Sequence, residues 1–168
     1  VHCIQGKYSE AEPLYERCQA IKEKVLGPEH PSLATTLNNR AGLLSAQGKY
    51  AEAQPLFERA LAIREGALGV DHPGTITSRA WMADLYTKQG FLDKASPLLK
   101  EVFSALERVH GRDHPDVASA LNNRAVLLYA QENYTEAIPP LERALEIRTD
   151  KLGQNHPDTV SARNNLEA

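Results

Sequence analysis

Paired asparagines recur along this chain at Asn38-Asn39, Asn122-Asn123 and Asn164-Asn165. A carboxamide donates and accepts at once, so it can bond the N–H or C=O of a peptide unit whatever side chain that unit carries. A row of such groups is chemistry for holding an extended polypeptide. The competing reading is structural: bonds to neighbouring helices, or simple exposure to water. Where a fourth pair would stand, the chain has Ala80-Trp81. A lone Trp in such a row suits an apolar anchor for a ligand, or a wedge between adjacent helices.

Other reactive side chains give no convergent pattern. Four of the six histidines sit in His-Pro pairs, His30-Pro31, His72-Pro73, His114-Pro115 and His156-Pro157. Their separation forbids a shared metal, and His before Pro predicts packing or hydrogen bonding at a helix start. Gly42 to Gly48-Lys49 has one residue too many for a phosphate loop, lacks the following Ser/Thr and falls on a helix. Carboxylates are plentiful, but none stands in an apolar setting that marks an acid/base pair. Asn133-Tyr134-Thr135 is a formal glycosylation sequon, read as accidental. The sequence therefore predicts no catalytic residue, no metal ligand and no cofactor.

These residues are positioned by a repeat. Gly27, Gly69, Gly111 and Gly153 stand 42 residues apart, each followed at the same distance by His-Pro. The period divides the chain into the end of one repeat (1–26), three whole units (27–68, 69–110, 111–152) and the start of another (153–168). Each unit predicts two helices. Pro31 suits a first helical position, and Leu37, Ala41 and Leu44 mark one apolar face up to Gln47, before Gly48. The second helix starts near Tyr50, carries Ala53, Leu56, Phe57, Ala60, Leu61 and Ile63, and ends before Gly69, which suits a left-handed C-cap. Pro13, Pro55, Pro97 and Pro139 recur about one turn into the second helices, each removing one hydrogen bond.

Bulk properties exclude several classes. A net charge of −3 and pI near 6.1 give no electrostatic reason to expect nucleic acid or anionic membrane. No apolar run approaches a bilayer span and nothing resembles a signal peptide, which predicts a cytoplasmic protein. Two cysteines, Cys3 and Cys18, make no disulfide framework; Cys18 reads as a small packed residue. The chain begins and ends inside first helices, which predicts a piece of a longer array and makes end-to-end self-association of exposed ends an expectation.

The run Leu37, Ala41, Leu44, Gly48, Tyr50, Ala53, Phe57, Ala60 resembles the signature of a tetratricopeptide repeat. The 42-residue length, Leu37-Asn38-Asn39, Gln47-Gly48-Lys49-Tyr50, Ala60-Leu61-Ala62-Ile63-Arg64 and Leu68-Gly69 resemble the longer repeats of kinesin light chains and nephrocystin-3-like proteins. The resemblance spans essentially the whole chain. It implies an all-α fold, a right-handed superhelix (α-solenoid) of stacked antiparallel helix pairs whose concave face is lined by first helices. It also implies that Asn39, Asn123 and Asn165 match positions that hold peptide backbone in kinesin-light-chain-like repeats.

A helical wheel drawn from Leu37 places Thr35, Asn38, Asn39, Gly42, Ser45 and Ala46 opposite the buried stripe. The matching groups are Thr77, Ala80, Trp81, Asp84, Thr87 and Lys88, then Ser119, Asn122, Asn123, Val126, Tyr129 and Ala130, then Ser161, Asn164 and Asn165. The predicted peptide-binding groove thus comprises Asn38, Asn39, Trp81, Asp84, Lys88, Asn122, Asn123, Tyr129, Asn164 and Asn165. Arg40 and Arg124, and in alternate units Arg79 and Arg163, fall inside the stripe that should be buried. Charge there requires partners, so each guanidinium is expected to reach a second-helix carboxylate or helix-end carbonyls; the other reading is a receptor for a ligand carboxylate. The alternation suggests an 84-residue higher period. Two functional readings follow: a module binding an extended segment of a partner protein in the groove, or a sensor array of a larger protein such as a nucleotide-binding switch protein.

Overall fold

His30 shows how each helix pair is started. Its Nδ1 accepts the Ser32 N–H at 3.1 Å, while Pro31 occupies the first helical turn, where a missing N–H costs nothing. The same bond recurs from Gly74 to His72 at 3.0 Å, Asp116 to His114 at 3.2 Å and Asp158 to His156 at 3.2 Å. The four histidines are N-caps, as the His-Pro pattern predicts.

The computed structural model describes residues 8–167, and Cys3 lies outside them. Among the described residues there are eight helices and no strand: α1 (Tyr8–Leu26), α2 (Pro31–Ala46), α3 (Tyr50–Leu68), α4 (Pro73–Lys88), α5 (Leu92–His110), α6 (Pro115–Ala130), α7 (Tyr134–Leu152) and α8 (Pro157–Glu167). No described helix is long and apolar enough to cross a membrane.

Glycines end the helices in two ways. After the second helices, Gly27, Gly69, Gly111 and Gly153 have φ of 91°, 83°, 82° and 88°. At Gly69 ψ is 170°, so the cap is an extended conformation with positive φ and not the left-handed helical turn the pattern predicts. Its N–H still bonds Glu65 O at 3.2 Å. After the first helices the chain closes a Schellman turn: Lys49 N–H reaches Leu44 O at 2.9 Å, and Gly48 N–H reaches Ser45 O at 3.0 Å.

The chain forms two compact units, Val1–Leu85 and Tyr86–Ala168, whose boundary falls inside α4 and not at one of the glycine marks. In the first unit, Leu33, Ala34 and Leu37 of α2 close on Ala60 and Ile63 of α3, with Leu56 at the edge. In the second, the residues 84 positions further on, Val117, Ala118, Leu121, Ala144 and Ile147, are buried in the same way as α6 packs on α7. Each large aliphatic side chain in these seams contributes about 2 kcal/mol from burial. Alternating small residues such as Ala34 and Ala60 let the two helices approach closely.

Candidate functional site

The wheel of α2 is open over a narrower arc than its polarity suggests. Thr35, Asn39 and Ala46 are exposed and Gly42 half-buried, at about 140° to 200° from Leu37. Asn38 and Ser45, nearer 90°, are buried, with exposures of 5% and 7%. The placement of Asn38 in the groove is therefore corrected. Its Nδ2 donates to Ser78 Oγ at 2.8 Å, fastening α2 to α4. A first helix packs against its neighbouring first helix as well as its own second helix, and a wheel drawn for one helix pair omits that second neighbour.

Arg64 completes the junction from α3. Its Nη1 donates to Gly74 O at 2.7 Å and Ser78 Oγ at 2.9 Å, and its Nη2 to Thr35 Oγ1 at 3.0 Å. All three acceptors are neutral, and burial holds the guanidinium pKa below its ordinary value. Sequence reasoning missed this role, although the signal recurs. Lys22 donates to Ser32 O at 2.9 Å and Arg148 to Asp158 O at 3.2 Å, each to a carbonyl ten residues on, as Arg64 does.

On the open arc of the first unit, Trp81 of α4 is 41% exposed and leans over Gly42 of α2. Phe57 supports the indole from α3, with ring centroids 5.9 Å apart and planes inclined by 37°. Trp81 is thus a wedge between neighbouring first helices that still presents an open face. That face, with Tyr8, Tyr15, Asn39 and Ala46, lines a pocket of about 340 Å³. Tyr15 escaped the sequence reading because its equivalents are Phe57, Leu99 and Leu141, a core position in sequence terms. Asp84 of the same unit is half-buried, and Lys88, at the end of α4, is exposed.

The second unit carries the matching asparagines in a different arrangement. Asn165 Nδ2 donates to Asn122 Oδ1 at 2.9 Å, linking α8 to α6. Ala162 stands where Ser78 stands in the first unit, so Asn122 has no buried hydroxyl to reach and stays half-buried. Asn123 is half-buried, while Asn164 and Asn165 are exposed. Tyr129, 56% exposed, meets the Tyr134 ring edge-on at 4.7 Å, beside exposed Val126 on the same helix.

The alternating arginines divide by unit. Arg40 donates to Glu16 Oε1 at 2.5 Å and Gln19 Oε1 at 3.0 Å, and Arg79 to Glu65 Oε1 at 2.6 Å and Val70 O at 3.4 Å. These two match the expected pairing. Arg124 and Arg163 do not: neither has a hydrogen-bond or ion-pair partner among the described residues, and Arg124 is exposed. The cause lies in the acceptors. At 84 residues' offset Glu16 becomes Lys100, Gln19 becomes Phe103 and Glu65 becomes Thr149.

His110, His114 and Asp116 bring their ligating atoms within 4.8 Å of one another. The imidazoles are stacked, with centroids 4.4 Å apart and planes 18° from parallel. Lone pairs lying in near-parallel planes do not converge on one ion, and His114 Nδ1 already accepts the Asp116 N–H. As arranged, the cluster suits helix capping better than metal binding. Cys18 is half-buried, with Sγ 3.6 Å from Thr36 Oγ1.

The tetratricopeptide repeat model matches residues 1–66, 32–80, 76–150 and 116–167. Among solved structures, the nearly identical TPR-like repeats of a kinesin-light-chain-like protein from Podosopora anserina match at 28% identity with a TM-score of 0.81, over 98% of this chain and 78% of that one. A point variant of that protein gives the same values. BtubC (BKLC) from P. vanneervenii matches at 26% identity with a TM-score of 0.83, over 98% of this chain and 66% of that one. No curated protein matches. Tandem helix pairs of 42 residues, His-Pro starts, glycine stops and a family match running from end to end lead to one assignment: the chain belongs to the tetratricopeptide repeat family.

Proposed function

We propose that this chain is a non-catalytic module that binds an extended segment of a partner protein on the open arcs of its first helices. Tetratricopeptide repeats are in general protein–protein interaction modules, which supplies the class of partner. The observation that carries the reading is the pocket in the first unit, where the Asn39 amide stands beside the exposed face of Trp81. A carboxamide can pair with a backbone peptide unit, and an indole can bury an apolar side chain next to it. In the second unit, Asn123 with Val126 and Tyr129 offers the same combination of amide and apolar surface. Neither patch brings titratable groups together in the way a reaction needs, so the reading is of binding without turnover.

A peptide array probed with the chain and with its Asn39→Ala/Asn123→Ala variant tests this. Captured peptides should lose binding in the variant, and N-methylation of single backbone amides in a captured peptide should do the same, because the amides read backbone. Capture that survives both changes moves the binding site off the first helices.

A further inference from the structure

We infer that the α5–α6 seam holds a second recognition site, which takes an acidic side chain flanked by a large apolar one from a partner protein. Its pocket, of about 330 Å³, has Leu99 and Phe103 of α5 and Leu127 and Leu128 of α6 as apolar lining, with Lys100 and Arg124 beside them. No carboxylate lines it. Neither Lys100 nor Arg124 has a hydrogen-bond or ion-pair partner among the described residues.

The first unit shows what such a seam looks like when its charge is satisfied internally. There Arg40 pairs with Glu16 at 2.5 Å and Lys49 with Glu12 at 3.5 Å, across α1 and the end of α2. At 84 residues' offset those four positions read Arg124, Lys100, Asn133 and Ser96. Two carboxylates have gone, one of them replaced by a cation. Gln19, the other acceptor of Arg40, has become Phe103, which turns a polar wall apolar. The seam that balances its own charge in the first unit therefore presents two uncompensated cations over an apolar lining in the second. Like charges held this close to an apolar surface favour an anion between them, and the planar guanidinium of Arg124 suits a carboxylate. At the low end of ligand-pocket volumes, the space suits one large side chain and not an extended cofactor.

This site is separate from the peptide-binding arc proposed above. On α6, Asn123, Val126 and Ala130 lie at about 140° to 200° from Leu121, whereas Arg124, Leu127 and Leu128 lie at about 240° to 340°. Failure of one reading leaves the other standing.

The test uses the isotope-labelled full chain titrated with N-acetyl-Ala-Glu-Leu-Ala-amide, with its Gln counterpart and with sodium acetate as controls. The acidic peptide should give saturating shifts at the backbone amides of Phe103, Leu128 and Gln131. The Lys100→Glu variant recreates the Glu16–Arg40 arrangement, so it should keep its fold and bind at least about tenfold more weakly. The amides of Asn39 and Asn123 report the other site in the same spectra. Absence of saturating shifts, equal shifts from the Gln peptide, equal shifts from acetate (an adventitious ion only), or undiminished binding by a folded Lys100→Glu chain would each overturn the proposal.

Discussion

Trp81 occupies the space a side chain at position 42 would need: a β-carbon built on Gly42 stands 2.6 Å from Trp81 Cζ3. The glycine has no turn to make, since it sits inside α2. Its use is to let the indole reach the α2 backbone, with the Phe57 ring 5.9 Å from the indole. The orientation of the open face of Trp81 toward Asn39 therefore depends on an absent methyl group.

Gly42→Ala should consequently move the indole without unfolding the chain. Ala gains up to about 1 kcal/mol of helix propensity over Gly, while the displaced ring loses packing, so net stability should change by less than about 1 kcal/mol. Trp81 is the only tryptophan, which makes intrinsic fluorescence a clean report on it. The emission maximum should shift to the red and peptide capture should weaken. An unchanged spectrum would mean that the ring does not rest on Gly42.

Arg64 should be far less tolerant of an apolar replacement than of a cationic one. Leu stands at the matching place as Leu106, and Lys as Lys22, which donates to Ser32 O. Within the first unit, Arg64→Leu would leave the half-buried Gly74 carbonyl without its donor and Ser78 Oγ with only the Asn38 amide, at a junction where Asn38 Oδ1 and Thr75 Oγ1 already have no partner. The expected loss is about 2–3 kcal/mol in urea unfolding, and Arg64→Lys should recover more than half of it. Equal losses for the two variants would show that the planar fork, and not the positive charge, makes the junction.

The contrast between Arg64 and Asn38 shows which parts of this molecule can be read from its sequence. Helix starts and stops were legible because each has a local cause, such as His30 before Pro31 or Gly69 after Leu68. The family and the all-α class followed from the same marks. Asn38 was misplaced because its burial depends on Ser78, 40 residues away on the next first helix. Arg124 and Arg163 were misread for a different reason. Their recurrence was visible, but pairing requires the acceptor to recur as well, and comparison of Glu16 with Lys100 or of Glu65 with Thr149 already held the answer. Tyr15 could not have been found by pattern, since a site residue there occupies a core register.

Glu132 is the last of these local marks and the one that breaks its own rule. Three Schellman turns end the first helices with the same two bonds: Gly48 N–H to Ser45 O and Lys49 N–H to Leu44 O, Gly90 N–H to Thr87 O and Phe91 N–H to Tyr86 O, Glu132 N–H to Tyr129 O and Asn133 N–H to Leu128 O. The positive-φ residue is Gly48 at 77°, Gly90 at 78° and Glu132 at 63°. An L side chain in that region costs about 1–2 kcal/mol, partly offset by the greater unfolded-state entropy of glycine. Glu132→Gly should therefore stabilise the chain by about 1 kcal/mol, and Gly48→Glu should destabilise it by a similar amount, measured from urea midpoints at constant m-value. Because the exposed Glu132 side chain has no ion pair among the described residues, the gain should persist at high salt, where a loss of surface charge would have been screened. A gain that vanishes with added salt would assign the effect to charge and remove backbone strain as its cause.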